Sequence, residues 1–166
     1  LSVNAGLLDL YLRAGTVLGE RRFLDRALDL VRYIEDRLGV PDGGWRAAEA
    51  DGRARQLADA NALAASAMLR AAGVFEDDRL GRRAIDALER VLLSCYTPGG
   101  GVRHHAVGVR GLLGDQVGMA AACLDAWEAT GRMPYRMMAE ELMHYAIRTM
   151  WDEEGGFGDR AADDSE

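Results

Sequence analysis

The residue types that could do chemistry fall into two groups along the chain. Asp51, Asp59 and Asp115 are carboxylates, and His104 and His105 are adjacent imidazoles. Sugar hydrolysis needs one protonated acid and one ionised base or nucleophile facing each other across the bond. Epimerisation next to a carbonyl needs groups that exchange protons near neutral pH, which suits histidine. On these grounds Asp51, His104, His105 and Asp115 are the candidate catalytic residues, and Trp45, Asp59, Asn61 and Gln116 the candidate substrate-binding ones. Each has a competing structural reading. Asp59 and Asp115 also suit helix N-caps, and the histidines suit locally bonded loop positions. Trp45, Tyr96 and Phe157 flank Gly-Gly turns, where an aromatic ring can stack on a sugar or plug the end of a hairpin. His144 falls on an outer helix and reads as structural.

The elements that would position these residues follow from an internal repeat. Gly43-Gly44-Trp45, Gly100-Gly101-Val102 and Gly155-Gly156-Phe157 recur at steps of 57 and 55 residues, and Asp59 and Asp115 lie 56 apart. Stretches beginning at Asn4, Asp59 and Asp115 are rich in Ala and Leu and end near Gly15, Gly73 and Gly131. Alternating with them are segments such as "RRFLDRALDLVRYIEDRLG", apolar on one face and charged on the other. A helix apolar on most sides must be covered on most sides. The first helix of each pair is therefore predicted to be inner and the second outer. The expected fold class is all-α: three helical hairpins, at about 2–56, 57–112 and 113–160, forming an arc of an (α/α)6 toroid. Long outer-to-inner loops at Gly39–Leu57 and Thr97–Gly114 share one rim with the N-termini of the inner helices. "GGGVRHHAVGVRG" alternates enough for a short ribbon around Val102, Val107 and Val109.

Composition narrows the partners. The chain has 166 residues, 49% of them hydrophobic and 28% charged, within the range of one folded domain. A net charge of −7 disfavours nucleic acid and anionic lipid as partners. All 20 basic residues are Arg. Cys95 and Cys123 stand alone in apolar helical stretches and read as buried free thiols, which fits a reducing cytoplasm. No histidine or cysteine spacing marks a metal site, and the Gly-Gly turns lack the context of a phosphate loop. No metal and no cofactor is expected. No apolar run is long enough to span a bilayer. The chain opens at Leu1, inside an apolar periodic stretch, and reads as part of a longer polypeptide. Half a toroid exposes the inner-helix flanks of its end hairpins, so self-association is expected.

The segment "LADANALAASAMLRAAGVF", with "GGWRAAEADG", "GVRGLLGDQVGMAAACLDAWEATGRMPY" and "MWDEEGGFGDR", resembles the helical part of the thioredoxin-domain-containing, spermatogenesis-associated-type proteins. These are relatives of the six-hairpin glycosidases and N-acylglucosamine 2-epimerases. The resemblance covers nearly the whole chain. It implies an upstream thioredoxin-like domain, the rest of the toroid downstream, and a carbohydrate-active-like domain with a sugar substrate. "PDGGW" and "EEGGFGD" are also similar to repeats of prenyltransferases and terpene cyclases, but the Asp-x-Asp-Asp pattern of the cyclases is absent. A third reading is a non-catalytic scaffold, which would fill the rim with apolar side chains.

Overall fold

The computed structural model describes residues 1–49 and 55–161. Helices α1 (Ser2–Leu18) and α2 (Arg21–Tyr33) form the first hairpin, and α2 runs on through a π-helical turn at Ile34–Leu38. Helices α3 (Ala58–Phe75) and α4 (Asp78–Cys95) form the second, α5 (Leu113–Thr130) and α6 (Met133–Met150) the third. Two-stranded ribbons follow the later hairpins: β1 (Tyr96–Thr97) with β2 (Gly101–Val102), and β3 (Trp151–Asp152) with β4 (Gly156–Phe157).

The division into inner and outer helices follows from composition. Ten of the eighteen residues of α3 are buried, seven of them Ala, against two of thirteen in α2. Alanine offers one methyl group to a neighbour, so α3 packs closely on α1 on one side and α5 on the other. Charges line the solvent face of α2 and α4, whose apolar stripes lie on their own inner partners. The chain is thus an arc of an α/α toroid, with α1, α3 and α5 along its inner wall.

The turns repeat in three dimensions. Gly19, Glu76 and Gly131 end the inner helices in left-handed conformation, at φ of 67°, 53° and 68°. Gly73 was the expected end of the second inner helix, but α3 continues past it to Phe75 and gives the left-handed position to a glutamate. The ribbon at each hairpin's other end also keeps one register, pairing Gly39 with Trp45, Tyr96 with Val102 and Trp151 with Phe157. The inner helices start one or two residues before the expected aspartates, at Ala58 and Leu113, with Leu57 and Leu112 as N-cap residues. Asp77 does cap a helix: its Oδ1 accepts the Arg79 and Leu80 amides at the start of α4.

Candidate functional site

Loop 103–110 is fixed across the mouth of the inner wall by backbone bonds. The Ala58 amide, at the start of α3, donates to the His104 carbonyl at 2.8 Å, and the His104 amide donates to the Val109 carbonyl at 2.9 Å. A tight turn from His105 to Gly108 completes it. These bonds set the His104 ring over the first turns of α3 and α5. Its Nδ1 lies 3.0 Å from Asp115 Oδ1 and 3.9 Å from Asp59 Oδ1.

The two aspartates, expected at equivalent places, are one residue out of step. Asp59 is the second residue of α3 and Asp115 the third of α5. A 100° rotation separates such positions on a helix, and their environments differ accordingly. Asp115 turns back onto α3, is 1% exposed, and accepts the Asp59 amide at 3.2 Å as well as the His104 ring. It therefore caps the neighbouring helix, not its own. Asp59 stays half exposed at the rim, with Oδ1 accepting the Ala60 amide at 2.7 Å. Burial pushes the Asp115 carboxyl above the usual range, and the hydrogen bond from His104 opposes that shift. Its Oδ2 is buried without a hydrogen-bond partner among the described residues. A carboxylate held against one imidazole nitrogen fixes the tautomer and leaves the other nitrogen for proton exchange.

His105 diverges from its neighbour. Its ring centre is 6.2 Å from that of His104, and its Nε2 meets the Arg55 guanidinium at 2.9 Å. Loss of solvation, then the Arg55 and His104 charges, hold its pKa below the ordinary histidine value. Arg55 was not singled out in the sequence. It lies fifty residues before His105, and nothing in its local pattern marks the pairing.

Trp45, Asn61 and Gln116, the expected substrate-binding residues beside Asp59, are buried and bonded within the chain. Trp45 is fully buried, its indole N–H donates to Glu35 at 2.8 Å, and the Arg83 guanidinium lies 5.4 Å above the ring. No face of the ring is open to a sugar. Asn61 Oδ1 accepts the Trp45 amide at 2.8 Å while its Nδ2 donates to the Trp45 carbonyl at 2.9 Å. Gln116 does the same for Val102, at 2.8 Å in both directions. Each amide also donates to the carbonyl of the residue four before it, Leu57 or Leu112. The pair thus clamps each Gly-Gly turn onto the next inner helix. A single planar group that both donates and accepts is needed, which explains Asn in one unit and Gln in the other. Asp51 lies outside the described residues.

Asp59, His104 and Asp115 bring three potential ligand atoms within 4.8 Å of one another, a donor set that suits a divalent cation. Sequence spacing shows no such set, because the three come from three separate elements. In the observed geometry His104 and Asp115 are already paired at hydrogen-bonding distance.

No described protein family matches the chain by sequence, and neither does any curated protein. Solved structures match by shape. A cellobiose 2-epimerase from Bacillus thermoamylovorans superposes with a TM-score of 0.79 at 11% identity, over 91% of this chain and 45% of that one. The chain has an α/α toroid fold. A sugar epimerase from a ruminal bacterium gives 0.78 at 15% identity, over 93% and 43%. A family GH76 α-mannanase from Bacteroides thetaiotaomicron gives 0.76 at 12%, over 95% and 44%. The chain therefore spans less than half the length of each of these proteins. Identities this low establish the fold alone. Among the described residues no helix is long and apolar enough to cross a membrane.

Proposed function

We propose that this arc carries a sugar-processing site on its rim, with His104 as the proton-transferring group and Asp115 as the residue that positions it. The observation that carries the reading is the buried Asp115 carboxylate held 3.0 Å from His104 Nδ1 beside the half-exposed Asp59. The fold it shares with two sugar epimerases supports a sugar as substrate. The resemblance to thioredoxin-domain-containing proteins adds an upstream thioredoxin-like domain to the same proposal.

The geometry favours proton transfer at carbon over inverting glycoside hydrolysis. Inverting hydrolases separate their two carboxyl groups by about 6.5–9.5 Å to admit a water. Here ligand oxygens of Asp59 and Asp115 lie within 4.8 Å, and Asp115 is already engaged by α3 and His104. In the proposed step the free His104 nitrogen takes the proton from the carbon next to the sugar carbonyl. The C–H electron pair moves into an enediolate, the imidazolium returns the proton to the adjacent carbon, and the hydroxyl proton passes to the former carbonyl oxygen, giving the isomer. Asp115 steadies the imidazolium charge. Asp59 stands at the rim to accept a sugar hydroxyl.

The test is a proton NMR assay of aldoses and ketoses incubated with the protein in deuterium oxide. Deuterium should appear at the carbon next to the carbonyl. His104→Ala should lower the rate by about 100-fold or more. Release of free sugar from a mannan or other oligosaccharide, with no exchange at carbon, would instead support a hydrolase.

A further inference from the structure

The rim loops carry positive charge that the chain's own carboxylates do not neutralise. Arg46 and Arg103 directly follow the repeated turn residues Trp45 and Val102, and Arg55 and Arg110 each stand six residues before the clamps Asn61 and Gln116. An equivalent pair of arginines therefore closes each loop. The backbone joins them: the Ala47 amide donates to the Arg55 carbonyl at 3.0 Å, and Arg103 bridges Arg110 in antiparallel register. Ten arginines outside these loops pair with carboxylates. None of the four inside them does so among the described residues. Arg103 and Arg110 donate to the Gly108 carbonyl and the Thr97 hydroxyl, each at 3.5 Å, and Arg46 Nε is buried without a partner.

Arg55 reaches across to the next loop, where its Nη1 lies 2.9 Å from His105 Nε2. A guanidinium only donates, so Nε2 accepts and His105 keeps its hydrogen on Nδ1. A neutral imidazole occupies one N–H of the guanidinium and offsets none of its charge. The ring is held in place by the turn beneath it. A methyl group on Gly108 would fall 2.6 Å from the His105 Cδ2 and 2.7 Å from Nε2, so the ring fills the space that this glycine leaves. Arg55 is exposed and His105 half-buried, which leaves further donors of both open to a ligand. His104 stands beside them, with ring centres 6.2 Å apart. Its carboxylate partners Asp59 and Asp115 face His104, and neither pairs with Arg55.

We infer that Arg55 and His105 form an anion subsite beside the proton-transferring group, and that the sugar carries a phosphate or a carboxylate at the end remote from its carbonyl. This rests on the sugar reading of the rim and narrows it to one substrate class. The planar guanidinium fork matches two oxygens of either group, and such charge-assisted bonds are among the strong ones. The Nδ1–H of His105 is a second donor on the same side of the loop. The carbonyl end then lies at His104 and Asp59. Holding the charged end fixes the reacting carbon against His104, which is how remote binding serves the chemical step. A neutral sugar leaves the guanidinium without a counter-charge, in a chain whose other rim arginines are already turned to backbone and hydroxyl oxygens.

Titration calorimetry tests it with glucose 6-phosphate, mannose 6-phosphate, glucuronate, the neutral parent hexoses and inorganic phosphate. At least one charged hexose should bind about tenfold or more tightly than its neutral parent. Arg55→Gln, at an exposed position that circular dichroism should show folded, should weaken the charged hexose at least about tenfold more than the neutral one. Gly108→Ala, which pushes the His105 ring aside, should act in the same direction and less strongly. The preference between phosphate and carboxylate identifies the anionic group. Neutral hexoses bound as tightly as charged ones, no binding of any charged hexose, or an equal effect of Arg55→Gln on both classes would overturn the inference. Inorganic phosphate bound as tightly as the hexose phosphates would overturn it too. Deuterium exchange is read separately: a charged hexose that binds through Arg55 and exchanges nothing would sink the proton-transfer reading and leave the anion subsite standing.

Discussion

At the residue scale the most informative group is Asp115, because its fold-stabilising and chemical demands conflict. Burial raises its carboxyl pKa, so the native state holds this proton more tightly than the unfolded chain does. Stability from this group is then fully present at low pH and declines as pH rises through the raised native value. Asp115→Asn removes the buried charge and keeps an oxygen for the Asp59 amide. The variant should equal or exceed the native protein in thermal stability, with a margin that grows from pH 4 to pH 7. Proton exchange at carbon should fall by about 100-fold, since a neutral amide does not steady an imidazolium. A margin that shrinks with rising pH would mean that the pair with His104 outweighs burial. Asn61 behaves oppositely: Asn61→Ala leaves the Trp45 amide and carbonyl buried without partners. That should cost about 2–3 kcal/mol, measured by urea unfolding.

Elements show where sequence patterns carry structural meaning and where they do not. Helix periodicity and the Gly-Gly steps mark three hairpins and separate inner from outer helices, because Ala-rich and half-charged segments have only one way each to be covered. The clamp escaped the same reading: Asn61 and Gln116 look like rim polar groups until the turns they hold are placed beside them. Trp45 reads as either plug or platform, and only the meeting of Glu35 and Arg83 around it decides between them. His104 and Asp115 were legible as candidates, yet their pairing depends on a loop fixed by backbone bonds that side-chain spacing does not encode. Glu76 is the clearest local conflict. It takes the left-handed position that Gly19 and Gly131 take in the other hairpins. Left-handed backbone costs an ordinary residue about 1 kcal/mol or more. Glu76→Gly should therefore raise the melting temperature by about 2–3 °C with no change at the rim. No rise would mean that residue 76 leaves this conformation in solution.

At the scale of the whole molecule the arc is quasi-one-dimensional, since each hairpin rests mainly on its neighbours. Among the described residues only α3 has an inner helix on both sides; α1 and α5 have one each. Local opening follows the number of supporting contacts, so amide exchange should be slowest in α3 and faster in α1 and α5. Hydrogen exchange followed by mass spectrometry reads this order. Equal protection of all three inner helices would show that the arc opens as one cooperative unit. The hairpins would then be steps in the sequence but not in the energetics.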